Sequence, residues 1–143
     1  VASESFTMSN TRVKFGYIDE RFLKIFGKTI EDVLAGELAV HTLLEDKYYD
    51  PDIMAAIKPH SARFVKLGQF YQSIEAQGQG QAGLLLLNGR AIIAFIIDEN
   101  DALWTVRARW NTRYGDWSVG ILSVARLCRW CVGDQVFSQV SED

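Results

Sequence analysis

Between Leu84 and Trp110 the chain offers three apolar runs separated by two short polar breaks, and such a stretch has few ways to fold. Leu84–Leu87 and Arg90–Ile97 are divided by Asn88-Gly89, a pair that favours a two-residue hairpin turn. Arg90–Ile97 and Ala102–Trp110 are divided by Asp98-Glu99-Asn100-Asp101. Short apolar runs bounded by turn residues predict strands, so residues 84–110 are expected to form an antiparallel meander. Setting Asp98 against Asp101 places Phe95 opposite Trp104 and Ile93 opposite Val106. One face then carries Ala91, Ile93, Phe95, Ile97, Trp104, Val106, Ala108 and Trp110. The other carries Ile92, Ala94, Ile96 and Leu103, rimmed by Arg90, Arg107 and Arg109. That second face is too apolar to stand bare, and cover by the C-terminal segment or by a second subunit is expected.

Upstream, Val13, Phe15 and Tyr17 alternate and predict a strand over residues 11–18. Asp19 is placed to cap a helix carrying Phe22, Ile25 and Phe26, with Gly27 as its stop. Thr29-Ile30-Glu31-Asp32 resembles a capping box, and residues 37–49 are expected to be helical. Asp50-Pro51 opens a short helix, and Ser61 can cap another whose stripe is Phe64, Leu67, Tyr71 and Ile74. Residues 78–83 read as a linker. Asp116–Val132 fits a helix, with Ser123, Arg126 and Arg129 as its polar stripe, although its Val and Ile content leaves a strand open. A short strand is expected at Val136–Val140. The fold class expected is α+β: an N-terminal strand and helices, then an antiparallel β-meander, with helices packed on one sheet face. Residues 1–143 form one domain in this reading, with 1–10 frayed.

At 143 residues a chain can bury a core without disulfide or metal staples. A formal charge of −3 disfavours nucleic-acid binding driven by bulk charge. No apolar run reaches the length of a membrane span, and two cysteines do not suggest a secreted disulfide scaffold, so a cytoplasmic protein is expected. Residues 78–143 hold six Arg, no Lys and all four Trp, a pairing suited to an interface or an anion site. Arg stems packed along the aromatic surface of a sheet rim would give the same composition.

The individual motifs point to no catalytic constellation. Gly78-Gln79-Gly80-Gln81-Ala82-Gly83 matches the dinucleotide fingerprint in letters, but here a helix precedes it and a strand follows, the reverse of what phosphate binding needs. Cys128 and Cys131 would share a helix face near its C-terminus, where thiolates are disfavoured, and they read as structural thiols. His41 and His60 could serve as a base or a haem ligand, but neither has a partner in the sequence. Glu31-Asp32 and Glu45-Asp46 are adjacent pairs, which point to different sides of a helix and make poor acid/base couples. Arg90, Arg107 and Arg109 would face one another across the meander, as an anion or interface site or as a solvated rim. No metal site is expected.

Tyr17–Gly36 resembles the start of a PAS sensor domain, through Phe22, Phe26-Gly27, Thr29, Glu31-Asp32 and Leu34. The resemblance implies a five-stranded antiparallel sheet with helices on one face. It also implies a pocket for a small molecule, haem or flavin, and dimerisation through the outer sheet face. The cofactor stays open. The function expected is a dimeric small-molecule-binding sensor or regulatory domain, with Phe64, Phe95, Trp104 and Val106 lining a site for a small apolar ligand. A protein-interaction module of immunity or adaptor type is the second reading, on the Trp- and Arg-rich half. A small cone-shaped α+β enzyme of unknown reaction is the third.

Overall fold

The computed structural model describes residues 5–27, 38–44, 53, 65–123 and 130–139. These contain β1 (Phe15–Ile18), α1 (Glu20–Phe26), β2 (Leu38–Thr42), α2 (Leu67–Glu75), β3 (Ile92–Ile97), β4 (Leu103–Asn111), β5 (Asp116–Ser123) and β6 (Gln135–Gln139). The strands form one sheet in the order β1-β5-β4-β3-β6-β2. Strands β3, β4 and β5 are successive antiparallel neighbours. β1 joins β5 in parallel, β6 joins β3 in parallel, and β2 lies antiparallel to β6 at the far edge.

This mixed six-stranded sheet overturns the expected plan of an N-terminal strand and helices followed by an antiparallel meander. Residues 38–42 form a strand where a helix was expected, because the ladder with β6 outweighs the weak preference of so short a run. Residues 116–123 are also a strand. Trp117, Val119 and Ile121 are buried at every second position, a period that fits a sheet and not a helix. The turn before them is built for a return along β4: Asn111 Oδ1 accepts from the Arg113 and Tyr114 amides, and Gly115 takes φ +64°. Residues 84–87 form no ladder.

The β3–β4 turn sets the register. The Asp98 N–H donates to the Ala102 carbonyl at 2.8 Å, and Asp101 occupies the left-handed region at φ +63°. Asp98 Oδ1 accepts from the Asn100 and Ala102 amides, and Oδ2 accepts from the Trp104 indole at 2.9 Å. The loop is therefore Glu99–Asp101, a three-residue turn with its last residue left-handed. It pairs Ile97 with Leu103, Phe95 with Thr105 and Ile93 with Arg107, one residue away from the expected register. With a side-chain period of two, this slip moves every β4 side chain to the opposite face relative to β3.

Two cores result. Ile92, Ala94, Ile96, Val106 and Ala108 join Trp117, Val119, Ile121 and Phe137 beneath both helices. Phe22 and Phe26 of α1 and Leu67, Phe70, Tyr71 and Ile74 of α2 face them, sealed by Phe6, whose ring centroid lies 4.8 Å from that of Phe22 and 5.4 Å from that of Tyr71. On the other face, Ala91, Ile93, Phe95 and Val136 pack with Leu43, Ile53 and Trp130. Over β3 and β6 the chain thus covers its own second apolar surface.

The segments on the helical face are pinned by polar contacts. The Arg21 amide donates to Asp19 Oδ1, capping α1, and the Val65 N–H donates to the Phe95 carbonyl, tying the approach to α2 to the sheet. Asn10 Nδ2 donates to the Tyr71 hydroxyl at 2.7 Å. In β1 the register slips between Phe15 and Tyr17, so Phe15 faces the core while Tyr17 turns out and is 58% exposed.

Slight burial opposes ionisation of Asp98, but hydrogen bonds from the Trp104 indole and the Ala102 and Asn100 amides outweigh it and hold the carboxyl below its ordinary value. Asp98→Ala is expected to lower stability by about 1 kcal/mol, read as a lower urea midpoint with an unchanged slope. A depressed carboxyl pKa contributes stability that is present above the unfolded value of about 3.9 and is lost as pH falls through the folded value. The difference between wild type and Asp98→Ala should therefore shrink on acidification below pH ~4.

Candidate functional site

Helix α2 ends at Glu75, and two residues later Gln77 turns inward, only 3% exposed. Its side-chain amide donates to the Leu85 carbonyl at 3.0 Å and accepts from the Leu85 N–H at 2.9 Å. Gln135, at the start of β6, donates to the Leu84 carbonyl and accepts from the Leu86 N–H. In an extended chain the N–H and C=O of one residue project to one side, and those of its neighbours to the other. Two glutamine amides therefore bracket Leu84–Leu86 from both edges, in the positions that neighbouring strands would take. This is why a segment with the sequence of a strand has no ladder. Asn88-Gly89 accordingly turns toward β3 without closing a hairpin, with Asn88 Oδ1 accepting from the Arg90 N–H and Gly89 at φ +84°.

Holding that segment away from the sheet opens a cleft of about 630 Å³. Leu38 and Val40 of β2 and Phe137 of β6 give it apolar walls. Gln69, Gln72, Ser73 and Ala76 supply one stripe of α2, and Gln77 with Ala82–Leu85 forms the opposite rim. Gln69 Oε1 accepts from the Lys66 N–H, and Ser73 Oγ donates to the Gln69 carbonyl at 3.1 Å. The volume lies within the ~300–1,000 Å³ of small-molecule sites, and an apolar wall with a few placed polar groups is their usual make-up.

The residues singled out by sequence do not line this cleft. The register slip puts Phe95 in the second core, and Trp104 and Val106 on the opposite face of the sheet with the helical core. Phe64 lies outside the described residues. Arg107 and Arg109 share a face with Tyr17 and Ser118 around a hollow of about 50 Å³. Gly120 makes room there: the Arg107 guanidinium passes 3.2 Å from where a Cβ at 120 would stand. Arg90 is not across from Arg109, because pairing begins at Ile92 with Ala108, and its side chain runs beside Gly133.

His41 Nε2 is 2.8 Å from the buried Ser138 hydroxyl, while His60 falls outside the described residues. Cys131 is a half-buried free thiol, and Cys128 falls outside them. The Asp134 carboxylate accepts from the Ala91 and Cys131 amides and ties β3 to the turn before β6. In the fingerprint-like stretch, Gly80 sits at φ +82° against the Trp110 ring, and a Cβ on Gly83 would strike the Gln77 side chain. Both glycines thus have packing reasons. Of the residues carrying the PAS resemblance, Phe22 and Phe26 are buried in α1 and Gly27 stops it, while residues 29–34 lie outside the described residues.

Among the described residues no group of three His, Cys, Asp or Glu could hold a metal ion, and no helix is long and apolar enough to cross a membrane. Comparison with family models, with curated proteins and with solved structures found no match.

Gln77→Leu would leave the buried N–H and C=O of Leu85 without partners. The expected cost is about 2 kcal/mol or more in urea denaturation, with faster hydrogen exchange at the Leu85 amide.

Proposed function

We propose that this chain is a small-molecule-binding regulatory module whose ligand occupies the cleft between α2, the β2–β6 edge and Ala82–Leu85. The cleft's size and its apolar wall of Leu38, Val40 and Phe137 carry this reading. The resemblance of residues 17–36 to the start of PAS sensors favours the same kind of role, although the six-stranded mixed sheet is not the five-stranded antiparallel sheet that the resemblance implies.

The test is a thermal-shift screen of a small-molecule library with native mass spectrometry of the purified protein, repeated on Ala76→Trp, which places an indole in the cleft. A ligand should appear as a 1:1 adduct and raise the wild-type melting temperature, and both effects should vanish in Ala76→Trp while the far-ultraviolet circular dichroism is retained. Hits that persist in Ala76→Trp, or a screen with no hits, would remove the basis of the reading.

A protein-interaction role, including pairing with a second copy, is favoured by one other observation. Tyr17 and Arg109 stand exposed on either side of Ser118, and exposed aromatic and Arg side chains are common anchors of interfaces. If a dimer forms there, sedimentation equilibrium should show it for the wild type and its loss in Tyr17→Ala/Arg109→Ala. A wild type that stays monomeric at high concentration argues against the pairing.

A further inference from the structure

We infer that the cleft selects an uncharged ligand: a mostly apolar molecule ending in a hydroxyl or amide that meets Ser73 and Gln72 of α2. The inference rests on the proposed use of the cleft and concerns what that site accepts.

None of the described residues lining the cleft is ionisable. To the extent that a carboxylate, phosphate or ammonium is taken from water into it, that group gains no counter-charge from these residues, and an unpaired charge away from water is the least tolerated group. The lining is not wholly apolar, however, and its polar groups differ in what they have left to offer. The Gln77 amide is engaged at both ends by Leu85, and the Gln69 oxygen is engaged by Lys66. Ser73 spends its proton on the Gln69 carbonyl, so its oxygen lone pairs are available to accept from a donor. Gln72, one residue earlier and exposed, brings an amide that can both donate and accept. A hydroxyl or primary amide can meet this pair, donating to Ser73 and exchanging a bond with Gln72. A carboxylate cannot donate to Ser73. An ammonium can donate, but it finds no negative charge among these residues. The apolar body would lie over Leu38, Val40 and Phe137.

The test uses four probes sharing one alkyl chain: decanol, decanamide, decanoate and decylammonium. Binding to the full chain is measured by calorimetry below the micelle range, with native mass spectrometry for stoichiometry. Decanol and decanamide should bind 1:1 and more tightly than either ion by roughly tenfold or more. Ala76→Trp should abolish this binding. Gln72→Lys should let decanoate bind while leaving decylammonium excluded, a gain that a merely structural change would not produce. Decanoate or decylammonium binding the wild type as tightly as decanol, and losing that binding in Ala76→Trp, overturns the inference and leaves the cleft standing. Failure of all four probes overturns it as well, and the library screen with Ala76→Trp then separates a wrong ligand class from a wrong site.

Discussion

The backbone carbonyl of Gln77 accepts a hydrogen bond from the buried Trp117 indole at 3.0 Å, and much of the molecule is organised around that contact. Trp117 stands in the middle of the helical core with no exposure, and its ring meets that of Trp110 edge-on at 5.5 Å. A buried indole N–H needs an acceptor. Supplying one from the chain just past α2 fixes where that helix ends over the sheet. With Gln77 so placed, its side chain reaches Leu85, Leu84–Leu86 is held off the sheet, and the space between becomes the cleft. Helix position, rim and cavity thus depend on one tryptophan in β5.

Much of the fold could be read from the chain, and what could not has identifiable physical causes. Asp19 as a cap, Phe22 and Phe26 as the buried face of α1, and Leu67, Tyr71 and Ile74 as the stripe of α2 are local patterns, and the structure places them so. The register of β3 against β4 was less accessible. It turns on whether Asp98 pairs with Asp101 or with Ala102, which is decided by Asp101 adopting a left-handed conformation that Asp tolerates but does not announce. The slip of one residue separated Phe95 from Trp104 and Val106 and dissolved the site drawn from them. The parallel pairings of β1 with β5 and β6 with β3 are long-range, and nothing in either segment encodes its neighbour.

The cleft itself was hidden for a different reason. Leu38 and Val40 sit in a stretch with no strong period, and Leu84–Leu87 has the composition of a strand. The available signal was the run of glutamines at 69, 72, 77, 79 and 81, too many amides for a mere linker. Reading them as hydrogen-bonding partners for backbone would have pointed to the right region, though not to Gln135, which is 50 residues beyond Leu85 in sequence.

The bracketing of Leu84–Leu86 has one more consequence. Four consecutive leucines with free backbone edges are the kind of sequence that recruits its like from other chains into cross-β stacks. Here Gln77 meets one edge at Leu85 and Gln135 the other at Leu84 and Leu86, so these backbone groups are already engaged although Leu84 is 78% exposed. The same two amides that shape the cavity act as a safeguard against self-association, and a molecule that kept its sheet but lost either glutamine would be sticky before it was unfolded.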